Sequence, residues 1–248
     1  MNLFQIFLCD PDKLQTNLTQ CADVFAAKKK AILDVYGGDN YQLYTNPEAQ
    51  EFLAKFDPDV LDCFNALVPY AFRADLLRYC LLYEFGGWYF DQSIVPVAKV
   101  EPTTEHVMFV KKDRQYIENM LLYSEPREVY YEKLIDAVVR NIKARSYGGA
   151  PDYRDHAILS VTGPMLKRGV YFQYLYGGTP SQANDVRARF TFGEYRRPDT
   201  TKGHLTLGNQ LVAVSKKDIS QFGRIDYMGF VGTNNYIKLY DARAIYRD

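Results

Sequence analysis

From Ala74 to Ser93 the chain reads ADLLRYCLLYEFGGWYFDQS. Between Ala71 and Phe85 the apolar residues Phe72, Leu76, Tyr79, Cys80 and Tyr83 recur every three or four positions, the period of a helix with one buried stripe. Gly86-Gly87 stops that helix, since glycine adopts the left-handed backbone that ends helices without a Cβ penalty. Trp88-Tyr89-Phe90 then predicts a short buried strand ending at Asp91. Asp75 and Arg78 stand three residues apart and so share one helix face. Alone, that spacing describes an ordinary intrahelical ion pair. With Asp91 at the carboxyl end of a strand, where α/β sheets place their ligands, three polar groups converge.

The flanking sequence alternates strand and helix. Leu3 to Leu8 predicts a first strand, Pro11 to Tyr36 a helix ended by Gly37-Gly38-Asp39-Asn40, and Tyr41 to Thr45 a second strand. Asn46 caps a helix reaching Phe56, with Pro47 at its first position. His106 to Val110 and Ile117 to Tyr123 predict further strands, Glu128 to Arg145 an amphipathic helix, and Gly163-Pro164 opens a helix to about Leu175. After Tyr176 the pattern weakens: Gly177-Gly178-Thr179-Pro180 and Arg196 to His204 read as loops, with apolar runs at Gln210 to Ser215 and Tyr236 to Tyr240. The expectation is one α/β domain over residues 1–248, with 1–175 as its core and 176–248 as an acceptor-side and C-terminal extension.

Asp75-x-x-Arg78, the helical run to Gly86-Gly87, and Tyr89-x-Asp91-x-Ser93 together resemble the glycosyltransferases with a DXD sugar-binding region. That group includes capsular polysaccharide enzymes and the glucosyltransferase domains of clostridial toxins. Phe4-Gln5-Ile6-Phe7, Asn40 to Leu53, Ile117 to Tyr123 and Val161-Thr162-Gly163-Pro164 resemble further segments of the family, so the likeness covers roughly the first 175 residues. It implies a GT-A type fold with a Rossmann-like mixed central sheet flanked by helices, a UDP- or GDP-sugar donor, and transfer with retention of configuration. Carried residue by residue, Ile6 and Phe7 would contact the base, Tyr89 and Asp91 the ribose and diphosphate, and Asp75 and Arg78 the sugar hydroxyls. Gly86, Gly87, Ser93, Asn119, Thr162 and Gly163 would complete the donor site, with Asp91, Asp75 and Arg78 as the catalytic set. A Mn2+ or Mg2+ ion would bridge Asp91 and the diphosphate.

The family's second DXD carboxylate is Ser93 here, which leaves a hydroxyl able to reach a metal through water. His204, Asn234 and Asn235 are the tail residues able to complete such a shell.

Bulk composition narrows the alternatives. Thirty basic and thirty acidic side chains cancel, which argues against nucleic acid as a partner. Lys28-Lys29-Lys30 reads as a solvated helix face, while the arginines at 187, 189, 196 and 197 could meet a phosphate or an anionic acceptor. Cys9, Cys21, Cys63 and Cys80 lack metal or redox spacing and read as buried thiols in a reducing compartment. His106, His156 and His204 share no ligand spacing. No signal peptide and no stretch of ~20 apolar residues is present, so a cytoplasmic protein with at most peripheral membrane contact is expected. No G-x-G-x-x-G follows the first strand, which weakens a nucleotide-dependent oxidoreductase. Two classes stand: a hexosyltransferase acting on a glycan or glycolipid of a surface polysaccharide pathway, and a pseudoenzyme that binds nucleotide sugar without transfer.

Overall fold

A computed structural model of the chain describes residues 1–38, 40–111, 116–148, 154–177, 179–197, 202–216 and 230–247. The opening runs β1 (Leu3–Ile6), α1 (Pro11–Gln20), α2 (Ala22–Tyr36), β2 (Tyr41–Tyr44), α3 (Asn46–Phe56) and α4 (Pro58–Ala66). The single helix expected from Pro11 to Tyr36 is broken at Cys21, whose carbonyl accepts from both Val24 and Phe25 as the axis restarts. Helix α3 is capped one residue earlier than expected, by Thr45, in a capping box closed by Glu48.

The central helix α5 (Tyr70–Phe85) leads into β3 (Gly87–Phe90). Gly86 and Gly87 have φ of 60° and 103°, and a Cβ on Gly87 would lie 2.4 Å from the Asn2 carbonyl oxygen. Only glycine admits β3 this close beside β1. Next come β4 (Ile94–Pro96), β5 (His106–Lys111), β6 (Tyr116–Ile117), β7 (Leu121–Ser124) and α6 (Val129–Lys143). The strand expected from Ile117 to Tyr123 is therefore two strands, interrupted at Glu118, Asn119 and Met120, where the Glu118 N–H still donates to the Phe109 carbonyl and the Met120 carbonyl accepts from the Asp91 N–H. The remainder is α7 (Arg154–Leu159), α8 (Pro164–Tyr176), α9 (Pro180–Ala188), β8 (Phe190–Arg196), β9 (Lys202–Leu207), β10 (Gln210–Lys216) and α10 (Tyr236–Asp241). The stretch from Arg196 to His204, expected as a loop, instead ends β8 and begins β9 in its described part.

The described strands form one mixed sheet in the order β2-β1-β3-β7-β5-β8-β9-β10-β4, with β6 paired to β5. Strands β2, β1 and β3 are parallel; β7 is antiparallel to both β3 and β5, and β8 is parallel to β5. Side chains alternate across the sheet as the pleat requires. Phe4 and Tyr89 enter the core under α3 to α6 and α8, whereas Leu3, Trp88 and Phe90 enter the opposite core beside Ile32 and Tyr36 of α2.

The connection from β3 to β4 dictates the shape of this sheet. The two strands stand six spacings apart in the sheet order, about 29 Å if it were flat. Four Cα–Cα steps separate Phe90 from Ile94, a reach of at most about 14 Å. The sheet must curl until its last strands return beside β3, and Asp91, Gln92 and Ser93 form the short link that closes it. Strands β8 to β10 belong to this same sheet, so the tail is structurally continuous with the core. No helix among the described residues is long and apolar enough to cross a membrane.

Candidate active site

Asp75 and Arg78 are buried on α5, at 7% and 5% exposure, facing the carboxyl end of β3. Their ion pair, Arg78 Nη2 to Asp75 Oδ1, spans 3.3 Å. Asp75 also accepts from Asn119 Nδ2 at 2.7 Å and from Thr162 Oγ1 at 2.9 Å. Burial pushes its carboxyl up from the usual range, against the opposing pull of Arg78, Asn119 and Thr162. Arg78 donates to the carbonyls of Ala74 (2.9 Å) and Asn119 (2.7 Å) and lies 4.5 Å over the Tyr89 ring. Burial alone would lower the guanidinium's pKa, but Tyr89, Asp75 and Asp91 outweigh it and keep Arg78 charged.

Asp91 follows β3 at the start of the closing link. Its Oδ2 accepts from the Tyr89 hydroxyl at 3.1 Å and faces Arg78 Nη1 at 3.6 Å. Its Oδ1 accepts from the Ser93 backbone at 2.8 Å and from Ser93 Oγ at 2.6 Å. The serine standing at the second DXD position thus orients the first carboxylate through a turn. Beneath the link lies Lys28, 1% exposed, whose Nζ donates to Gln92 O at 2.7 Å and Gln92 Oε1 at 2.9 Å. Burial draws its pKa down to about 8, although Asp91 and Cys21 oppose the shift. Lys28 was expected on a solvated face; it is a buried fastener of the Asp91–Ser93 link.

A cavity of about 440 Å³ is lined by Asp75, Arg78, Asp91, Ser93, Asn119 and Gly163. Glu118, Tyr195, Arg197 and the aromatic rings of Tyr116 and Tyr236 also wall it. Tyr89 and Thr162 stand behind this lining as hydrogen-bond supports of Asp91 and Asp75. A Cβ on Gly163 would approach Asp75 Oδ2 to 3.2 Å, so the glycine keeps that carboxylate accessible. Asn119 Oδ1 is buried and accepts no hydrogen bond from the described residues. Two larger hollows, of about 620 and 590 Å³, lie along α6 and bring together no such set of groups.

Other expected residues lie elsewhere. Gly86 and Gly87 stand at the far end of β3 and act on backbone geometry alone. Ile6 is core, and Phe7 packs with Phe25 and Phe230 at centroid distances of 5.1 and 4.7 Å, outside the cavity lining. His204 pairs with Arg196 in the β8–β9 ladder and does not line the cavity. Asn234 is engaged with the Tyr70 N–H and Val68 carbonyl, and Asn235 caps α10, so neither amide is turned to a metal. No cluster of three His, Cys, Asp or Glu able to hold a metal occurs among the described residues. Sequence reasoning missed Glu118, Tyr116, Tyr195 and Tyr236; Arg197 was visible only as part of a basic cluster.

The fold and site are those of an α/β protein with a polar cavity at the carboxyl end of a central strand. Residues 13–110 match the family described as glycosyltransferase sugar-binding region containing DXD motif. Inositol phosphoceramide mannosyltransferase 2 of Schizosaccharomyces pombe is 25% identical over 127 residues, covering 51% of this chain and 37% of that protein. Mannosyl phosphorylinositol ceramide synthase SUR1 of Saccharomyces cerevisiae is 27% identical over 147 residues, covering 59% of this chain and 37% of that protein. The chain therefore spans little more than a third of the length of these curated relatives. Among solved structures, PaToxG Glycosyltransferase aligns with a TM-score of 0.45 at 14% identity, over 98% of this chain and 83% of that one.

Proposed function

We propose that this protein is a glycosyltransferase that moves a hexose, of the mannosyl type, from a UDP- or GDP-sugar to a glycan or glycolipid acceptor. The observation carrying this reading is the convergence of Asp75, Arg78, Asn119 and Asp91 on one cavity, within a segment that matches the sugar-binding region. The mannosyltransferase relatives favour the mannosyl class. A role in surface polysaccharide assembly, in the cytoplasm or at the membrane's cytoplasmic face, fits this chemistry.

Breaking a sugar–phosphate bond builds positive charge on the sugar and negative charge on the departing phosphate. Asp75 stands where it can take a sugar hydroxyl, and the open acceptor Asn119 Oδ1 can take another. Arg78, held rigid by two carbonyls and a ring, stabilises negative charge beside Asp91. The residues suit a divalent cation that draws most of its oxygen ligands from a diphosphate and water, because Asp91 is a partly exposed carboxylate backed by Ser93. Bound there, Mn2+ or Mg2+ would neutralise the leaving diphosphate. If configuration is retained, as the resemblance implies, same-face substitution is favoured over double displacement, because no side chain among the described residues stands out as a nucleophile.

Asp91→Ala tests the assignment. Transfer should fall at least about 100-fold with the melting temperature nearly unchanged; wild-type turnover in the variant would refute the site. Thermal-shift titration with UDP- and GDP-mannose, with and without Mn2+, distinguishes the pseudoenzyme, which would bind donor and release no nucleotide. The locked Ser93 hydroxyl is the feature favouring that second reading.

A further inference from the structure

Beside the transfer cavity lies a second, smaller hollow that the donor chemistry leaves unused. It is a slot of about 140 Å³ walled by Val110, Ile117, Tyr171, Phe172 and Phe192, with Tyr116 and Arg168 completing its lining. The walls are almost wholly hydrocarbon. Phe172 and Phe192 are 37% and 36% exposed, and Tyr176, one turn on, is 62% exposed with its ring parallel to Phe172 at 5.9 Å. Contiguous exposed rings of this kind mark a binding face more often than idle surface. The Arg168 guanidinium sits 4.9 Å over the Phe172 ring and makes no ion pair among the described residues. Arg187 donates to the Tyr176 hydroxyl at 3.3 Å and is likewise without a carboxylate among them.

A hydrocarbon-walled slot lined by an arginine that has no ion-pair partner among the described residues selects its ligand narrowly. A sugar ring would have to bury hydroxyls with no partner, and a free anion would gain nothing from the aromatic walls. An alkyl chain ending in an anionic head group satisfies both parts. The slot also adjoins the transfer cavity at Tyr116, whose side chain lines both. Helix α8 connects them too, with Pro164 in the cavity wall and Phe172 in the slot. Eight helical residues set the two about 12 Å apart, and Arg197 stands in the cavity wall to meet negative charge arriving there. We infer that the face of α8, β6 and β8 is the acceptor subsite and receives the hydrocarbon chain of an anionic, phosphate-bearing lipid whose head group reaches the transfer cavity. This assignment rests on reading that cavity as the glycosyl-transfer site.

The test is calorimetric titration of the full chain with n-butyl, n-hexyl and n-octyl phosphate, all below micelle formation, and with inorganic phosphate. Affinity should rise about fourfold for each methylene that enters the slot, and inorganic phosphate should not bind detectably. Phe172→Ser/Phe192→Ser and, separately, Arg168→Gln should each weaken octyl phosphate at least tenfold. Both affect exposed or half-buried positions, so folding should be retained, and the melting temperature checks it. Affinity independent of chain length, or unchanged in these variants, overturns the proposal. So does a change of oligomeric state in the double variant, which would make the face a contact between copies. UDP- and GDP-mannose binding is measured in the same samples. Loss of octyl phosphate alone in the variants supports the subsite, whereas a wild-type protein that binds octyl phosphate but neither nucleotide sugar would defeat the transferase reading instead.

Discussion

At the scale of single residues, the two carboxylates of α5 and the β3–β4 link are each held by neighbouring polar side chains. Asp75 is fixed by Asn119 and Thr162, and Asp91 by Tyr89 and Ser93. Asp75, Arg78 and Asp91 were legible in the sequence because helix period and strand end place them locally. Tyr195 and Arg197 were not, because only the curl of the sheet carries β8 to the cavity. Lys28 shows the limit of pattern reading most clearly, as its basic neighbours suggested solvent while tertiary packing buries it. Its titration has a stability consequence. The folded value, about 8, lies below the ordinary 10.5, so between those values the unfolded chain binds a proton that the folded chain lacks. Stability contributed at this position should therefore rise with pH across that window and be constant below it. Relative to Lys28→Met, the wild type should gain about 2 kcal/mol between pH 8 and 9.5 by denaturant unfolding. A pH-independent difference between the two would contradict this burial.

At the scale of elements, the sequence announced strands and helices wherever hydrophobic period and turn chemistry agreed. It was silent on α4, β4, α7, α9 and β8, and it fused β6 with β7 because both are apolar. The interruption between them places Glu118 and Asn119 in the lining of the cavity. Another fastening was invisible locally. Asn17 on α1 is fully buried and reads the backbone of Val231, donating to its carbonyl at 2.8 Å and accepting from its N–H at 2.9 Å. Gly232 O accepts from the Asp10 N–H, and the Asn234 amide clasps the backbone before α5, so this strand of tail is tied across the carboxyl end of β1. Asn17→Ala leaves two backbone groups without partners and should cost about 1–3 kcal/mol. Limited proteolysis should then cut near Val231 faster than in the wild type; equal cutting rates would show that the tie is dispensable.

At the scale of the whole molecule, the cavity belongs to the curled sheet rather than to any one segment of chain. The family match ends at residue 110, yet cavity walls come from α7, α8, β8 and α10 as well. Residues 1–176 alone would leave β4 without β10 and β5 without β8. Such a fragment should bind no nucleotide sugar and should expose apolar surface to a hydrophobic dye, because Tyr195, Leu205, Val212 and Ala213 of the second core come from β8 to β10. Tight donor binding by the fragment would mean that the curl is unnecessary to the site.

The link from Phe90 to Ile94 also sets a timetable. Asp91 emerges from the ribosome early, but β4 cannot find its partner until β10 has been made, about 120 residues later. At ordinary elongation rates that is on the order of ten seconds during which the carboxylate is synthesised but unanchored on one side. The cavity is thus among the last features to form, although Asp75, Arg78 and Asp91 all lie in the first hundred residues. A nascent protein stalled before residue 216 would carry these residues without the completed cavity.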